Sequence, residues 1–218
     1  MALQHQGGSP TYRPFEKKDF EPAAELFYQQ WGTEAGERLG RLDAQVNLCN
    51  YLMDADWGLV AEGAGGELLG VLLAETGSQP AAARSTWHAR REELLAQVAP
   101  GATFGREVCR VEAEELALSQ RFRAAADASG RPEAAAEFKL LIVSPAARGL
   151  GVGGGLVSRG EDHLAQTGAT GYYLITDDTC DVGFYDHLGL SRLVTEASVA
   201  EVGVNLYIYG REFCYASH

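Results

Sequence analysis

The segment with the most chemistry in its spacing is Lys139-Leu-Leu-Ile-Val-Ser-Pro-Ala-Ala-Arg-Gly-Leu-Gly-Val-Gly-Gly-Gly155. An apolar run ends at Ser144-Pro145, a turn follows, and glycines open a helical stretch. Gly149, Gly151 and Gly153 let the backbone approach a ligand closely and leave several N–H groups pointing outward at a helix N-terminus. Such an array attracts phosphate or pyrophosphate through hydrogen bonds and the helix dipole. Arg148 adds a fixed positive charge at its mouth. Three nucleotide chemistries compete for this segment. A Rossmann site asks for GxGxxG, which Gly154 completes from Gly149, followed by an acidic residue about 20 positions on. A phosphate-binding P-loop is excluded because no GK[ST] follows. The third reading is a coenzyme A site.

The elements that position this turn are legible in the periodicities. Tyr12–Glu16 reads as a short strand, and Asp19 is placed to cap a helix carrying Phe20, Ala23, Ala24 and Phe27 on one face. A second helix is expected over Glu34–Met53, with Leu39, Leu42, Val46, Cys49 and Leu52–Met53 on its apolar stripe. Trp57–Glu62 and Glu67–Glu75 are strand-like and flank the turn Gly63-Ala-Gly-Gly66, which predicts an antiparallel hairpin. Residues 78–136 then lose strand character and carry two helical patterns, one with Trp87, Leu94, Leu95 and Val98, the other with Val108, Val111, Leu118, Phe122 and Ala125. Beyond them come a strand (Phe138–Val143), the glycine turn, a helix (Gly151–Thr167) and a strand (Tyr172–Thr176). A short helix (Val182–Leu188) and strands near Leu193–Thr195 and Asn205–Tyr209 complete the chain. Residues 1–10 read as a loose tail.

Composition narrows the function classes. With 218 residues, 46% of them hydrophobic, the chain can build one sizeable core. Its net charge of −12 argues against nucleic acid and anionic membrane surfaces and suits a cationic acceptor. Of 18 basic and 30 acidic residues, eight of each fall within 78–136, so the remainder holds 10 basic against 22 acidic and carries the whole imbalance. Cys49, Cys109, Cys180 and Cys214 form no CxxC pair and share no metal-ligand spacing with histidine, so no metal is expected. No run of about 18 apolar residues occurs, and the start lacks an apolar signal core. A cytoplasmic protein is the expectation.

The pattern Arg148-Gly-Leu-Gly-Val-Gly153 after Leu-Ile-Val-Ser-Pro resembles the Q/R-x-x-G-x-G/A signature of the GNAT superfamily of N-acyltransferases. Gly183-Phe-Tyr-Asp-His-Leu-Gly-Leu190 resembles that family's second motif, a tyrosine followed by a Leu-Gly turn. The separation of about 35 residues leaves room for one helix and one strand, as the family requires. The resemblance covers 11–76 and 137–213. It implies an α/β (α+β) GNAT fold, a mixed and mostly antiparallel central sheet flanked by helices, within a single domain 11–218. The helical stretch 78–136 is then an insertion between the third and fourth strands. It also implies transfer of an acetyl group from acetyl-CoA to a primary amine by direct attack in a ternary complex. A catalytically silent acyl-CoA-binding domain is the alternative.

Carried over position by position, the resemblance assigns the backbone of Leu141, Ile142 and Val143 to the pantetheine arm. Arg148, Gly149, Leu150, Gly151, Val152, Gly153 and Gly154 would hold the pyrophosphate. Tyr185 would stand at the thioester sulfur and protonate the departing thiolate. Glu137, six residues before Val143, matches the offset of a catalytic glutamate in some members, although a glutamate at a strand start ordinarily faces solvent. Glu112, Glu114 and Glu115 are rival bases. Asp178 stands where members often have a cofactor-contacting asparagine. That departure leaves Asp177, Asp178 or Asp181 as groups for a cationic acceptor, a small amine or a peptide amine. Cys180 is not expected to form an acyl-enzyme, and His187 points away from the tyrosine's face. The insertion is read either as a cap over the acceptor or as a packing surface for a second copy of the chain.

Overall fold

The computed structural model describes residues 9–32, 36–77, 81–98, 106–196 and 204–214. The expected tail therefore lies almost wholly outside the described residues, as does the start of the helix expected from Glu34. Among the described residues seven strands form one mixed sheet in the order β1-β2-β3-β4-β5-β7-β6. This is the GNAT arrangement implied by the two motifs, with two helices between the third and fourth strands. The chain divides into two compact units, Met1–Phe104 with Leu140–Gly160 and Gly105–Lys139 with Glu161–His218. Among the described residues no helix is long and apolar enough to cross a membrane.

In the first unit β1 (Thr11–Pro14) pairs antiparallel with β2 (Trp57–Glu62), and β2 with β3 (Leu68–Glu75). The hairpin turn closes through Gly63 N–H to the Glu67 carbonyl at 2.9 Å, with Gly66 at φ 82°. The helices α1 (Phe20–Trp31) and α2 (Glu37–Asp54) bury Phe20, Ala23, Phe27, Leu42, Val46 and Cys49 with strand residues Val60, Val71, Leu73, Leu140 and Ile142. Asp19 does occupy the N-cap position of α1 but makes no cap hydrogen bond. Its carboxylate turns back to accept from both Nη atoms of Arg13, at 2.7 and 2.8 Å, and from the Glu16 amide at 2.8 Å. A planar guanidinium fork offers a carboxylate two charge-assisted bonds, which outweigh one bond to a helix amide.

The helix α3 (Ala81–Leu95) belongs to this unit and packs on α2. Trp87 stacks on Phe20 with ring centroids 5.3 Å apart, and Leu94 is fully buried.

In the second unit α4 (Arg106–Ser129) sets Leu118 and Phe122 against Tyr173, Leu206 and Ile208. The strands β5 (Gly171–Asp177) and β7 (Leu206–Glu212) pair antiparallel, and β6 (Ser191–Glu196) edges β7 with a register shift between Arg192 and Val194. The strand β4 (Glu137–Val143) pairs parallel with β5 at Glu137↔Tyr173 and Phe138↔Leu174. The 78–136 insertion is thus helical as expected, but its two helices serve different units. Trp87, Leu94, Leu118 and Phe122 pack within the chain, and Leu116 of α4 is exposed.

Candidate functional site

In the first unit, β4 ends at Val143, and the N–H of Ser144 donates to the Leu69 carbonyl at 2.8 Å. A 3-10 turn over Pro145–Ala147 follows, and the helix α5 (Val152–Gln166) begins five residues later. Between them Gly149 and Gly151 take φ 78° and 76°, the left-handed region that other residues enter only at a cost. A Cβ at either position would meet nothing within 4 Å, so backbone conformation, not crowding, demands glycine there. Gly155 is different: a Cβ would lie 2.0 Å from the Tyr12 hydroxyl, so this glycine lets β1 pack on α5.

The first intrahelical bond of α5 runs from Gly155 N–H to the Gly151 carbonyl at 2.9 Å. The amides of Val152, Gly153 and Gly154 therefore precede the internal ladder and are the donors a phosphate would use. Arg148 and Leu150 are exposed at the turn, Leu150 at 56%. The Arg148 guanidinium donates to the Gln30 side chain of α1, a neutral partner that leaves its charge available. Two left-handed glycines, unladdered amides and an exposed guanidinium fit a pyrophosphate.

In the second unit the chemistry gathers after β5. Tyr185 lies on α6 (Val182–His187), its ring 5.4 Å from those of both Phe184 and Tyr209. Burial pushes its phenol well above the ordinary range, and the charges of Cys180, Asp181 and Asp177 push the same way; only the Thr176 hydroxyl opposes them. Tyr185 is thus a neutral proton donor at physiological pH. Thr176 Oγ1 is itself buried, close enough to the Tyr185 phenol and the Cys180 thiol to pull both downward. Cys180 is half-buried, and burial followed by the charge of Asp177 raises its thiol, which disfavours the nucleophilic thiolate.

The acidic segment is largely occupied with itself. Asp177 Oδ1 accepts from the Thr179 amide at 2.7 Å and from its hydroxyl at 2.6 Å, closing the turn after β5. Asp178 is exposed and accepts from the Asn205 amide at 3.2 Å and its Nδ2 at 2.6 Å. Of the three aspartates expected to face an acceptor, only Asp181, exposed at the start of α6, makes no such side-chain bond there. His187 is exposed.

Glu137 is not the solvent-facing residue expected at a strand start. It is 4% exposed, and its Oε2 accepts from the Tyr173 hydroxyl at 2.7 Å, Arg123 Nη2 at 2.9 Å and Ser119 Oγ at 3.1 Å. Its Oε1 accepts from Lys139 Nζ at 3.2 Å. The physical reason is α4: Ser119 and Arg123, one turn apart on the inserted helix, cover the strand start and neutralise the carboxylate. On the same helix stripe, one turn before Ser119, Glu115 is half-buried, and its charge contributes to raising the Cys180 thiol. Glu114 is half-buried too, while the Glu112 side chain lies outside what the structure describes. Among the described residues no group of three or more His, Cys, Asp or Glu side chains is arranged to hold a metal.

Sequence patterns did not reveal Thr176, Asn205 or the Glu137 cage, because each depends on side chains brought together from distant elements. One signal was available. Asp43 and Asn47, spaced by four within an apolar helical run, are both buried on α2.

No family model and no curated protein matches the chain. Solved structures do. A histone acetyltransferase HPA2 and related acetyltransferase from Corynebacterium glutamicum superposes with a TM-score of 0.58 at 17% identity, over 97% of this chain and all of that one. Ard1 from Thermoplasma volcanium gives 0.57 at 16% identity, over 95% of this chain and 100% of that one. The ribosomal-protein-S18-alanine N-acetyltransferase from Escherichia coli gives 0.55 at 11%, over 95% and 96%. At these identities the likeness establishes the fold.

Proposed function

We propose that this GNAT-fold chain is an acyl-CoA-dependent N-acyltransferase that moves an acetyl group from acetyl-CoA to a primary amine. The observation that carries the reading is the turn Arg148–Gly154. Its two left-handed glycines and unladdered α5 amides are built for a pyrophosphate, which coenzyme A supplies. The backbone of Leu141, Ile142 and Val143 is the partner proposed for the pantetheine arm. Their β4 positions lie beyond the two that pair with β5.

The chemistry is attack of a neutral amine on the thioester carbonyl, after which the C–S bond breaks and the thiolate takes a proton. Tyr185, held neutral by its surroundings, is the donor we assign to that proton. The Thr176 hydroxyl is assigned to a hydrogen bond with the same reacting group. Glu137 is better suited to holding α4 on the sheet than to removing the amine's proton, since both its oxygens already accept bonds and it is shielded from water. Glu115 is the carboxylate we assign to the amine, directly or through water. Asp178, engaged by Asn205, would contact the cofactor only in concert with that asparagine. The acceptor is proposed to be a cationic amine, small or peptidic.

The second reading is a silent acyl-CoA-binding domain, and the occupation of Glu137 favours it in part. Thiol release from acetyl-CoA, followed across polyamines, aminoglycosides, amino acids and peptide N-termini, separates the two. Amine-dependent release supports the enzyme. Coenzyme A binding without release on the whole panel supports the silent domain, and absence of binding defeats both.

A further inference from the structure

The helix α2 carries a polar stripe, Asp43, Asn47, Asn50 and Asp54, at intervals of four, three and four residues, so that all four fall on one helical face. Its last two members are matched by arginines of α3. Arg91 Nε donates to Asn50 Oδ1 at 2.8 Å, and Arg84 pairs with Asp54 at 3.5 Å. These contacts show α3 running antiparallel to α2, and beyond Arg91 its described residues, Glu92 to Val98, include no further cation. Asp43 and Asn47 are nonetheless the deepest of the four, 5% and 1% exposed. Among the described residues Asn47 Nδ2 is buried with no hydrogen-bond partner. The Asp43 carboxyl is pushed up to about 6 by burial, with no cation or donor among the described residues opposing the effect.

A buried amide left unmatched one turn from a carboxyl that burial perturbs costs stability, and folded proteins rarely leave such a group without a use. The two do not satisfy each other, although residues four apart on a helix have Cβ atoms only about 5–6 Å apart. Gly40, also buried and one turn earlier, adds no side chain to this face.

We infer that Asp43 and Asn47 form a binding site for a primary ammonium that carries an oxygen on the neighbouring carbon. The ammonium would donate to the Asp43 carboxylate, and the oxygen would accept from Asn47 Nδ2. Vicinal amino alcohols and the N-terminal residue of a peptide, with its ammonium and its own carbonyl, share this chemistry. Treating the ligand as the acetyl acceptor rests on the acyltransferase reading; the binding site itself does not.

The test is direct binding to the full chain, by calorimetry and thermal shift, of kanamycin for the amino alcohols, alanyl-alanine amide for the peptides, and butylamine as an amine without the oxygen. The wild type is expected to bind at least one of the first two more tightly than butylamine. Asp43→Asn and Asn47→Leu are each expected to weaken that binding by about 10-fold or more, because each removes one partner of a buried polar contact. Asn47→Leu also removes the orphan amide, so it should fold at least as well as the wild type, which gives the test a second variant independent of Asp43. Equal affinity in wild type and Asn47→Leu overturns the inference, as does failure of both oxygen-bearing probes to bind. Thiol release from acetyl-CoA, read in parallel, reports on the acyltransferase reading alone: binding without release sinks that reading and leaves the site standing.

Discussion

Replacing Glu137 by glutamine keeps the side chain's size and removes its charge, and the structure allows the consequence to be worked out. The carboxylate, 4% exposed, accepts four hydrogen bonds, two of them from cations. Lys139 is nearly as deep, with its side chain 11% exposed, while the Arg123 side chain is 36% exposed. Removing one partner of a buried ion pair costs about 3–5 kcal/mol. The Arg123 contact is discounted because water screens it, which places the expected loss toward the lower end, about 3 kcal/mol. For a chain of this length that corresponds to a fall in melting temperature of roughly 6–12 °C. Urea denaturation of the full chain supplies the free energy. A Glu137→Gln protein less than about 1 kcal/mol below wild type, yet inactive with bound acetyl-CoA, would refute the structural role and restore Glu137 as the base.

The other expectations are briefer. Tyr185→Phe should lower kcat by roughly 100-fold while coenzyme A affinity, read by calorimetry, stays within about 2-fold, since only the proton donor is lost. Because the phenol is raised above its ordinary range, the wild-type rate should show no alkaline decline attributable to Tyr185 below about pH 10. Gly151→Ala places a Cβ at φ 76° in open space, so strain alone should cost about 1–2 kcal/mol in melting experiments and weaken coenzyme A; unchanged stability would show that the turn relaxes freely. Asp43, raised from 3.8 to about 6, binds its proton more tightly folded than unfolded. Its contribution therefore favours the fold below about pH 4 and is lost as pH rises through about 6. Asp43→Asn should accordingly stabilise the chain at pH 7 by up to about 3 kcal/mol and have little effect at pH 4, and equal effects at both pH values would contradict the assignment.

The sheet and the glycine turn were legible in the sequence because both rest on local rules. Alternation and apolar runs marked β2 to β5 to within a few residues, and a left-handed turn has to be written in glycine, so Gly149 and Gly151 stand out unaided. What the sequence could not reveal depends on side chains that meet only after folding. Glu137 looked like an edge residue until α4 supplied Ser119 and Arg123, and Asp178 looked like a missing asparagine until Asn205 arrived beside it from the far side of β6. Asp19 illustrates a local rule overruled. Its position is that of a helix cap, but Arg13 offers a stronger partner than a backbone amide does. The insertion was recognisable as helical from its periodicity, whereas its division between two compact units was not, since periodicity says which face is apolar and nothing about what covers it.

The most direct test of the central claim is a steady-state assay of thiol release in which acetyl-CoA and a reactive amine are varied together. Direct transfer in a ternary complex predicts release that requires both substrates, with intersecting double-reciprocal lines, and one equivalent of acetylated amine per thiol. Parallel lines would contradict direct transfer and point to an acyl-enzyme at Cys180. No amine-dependent release from a chain that binds no coenzyme A would contradict the function itself.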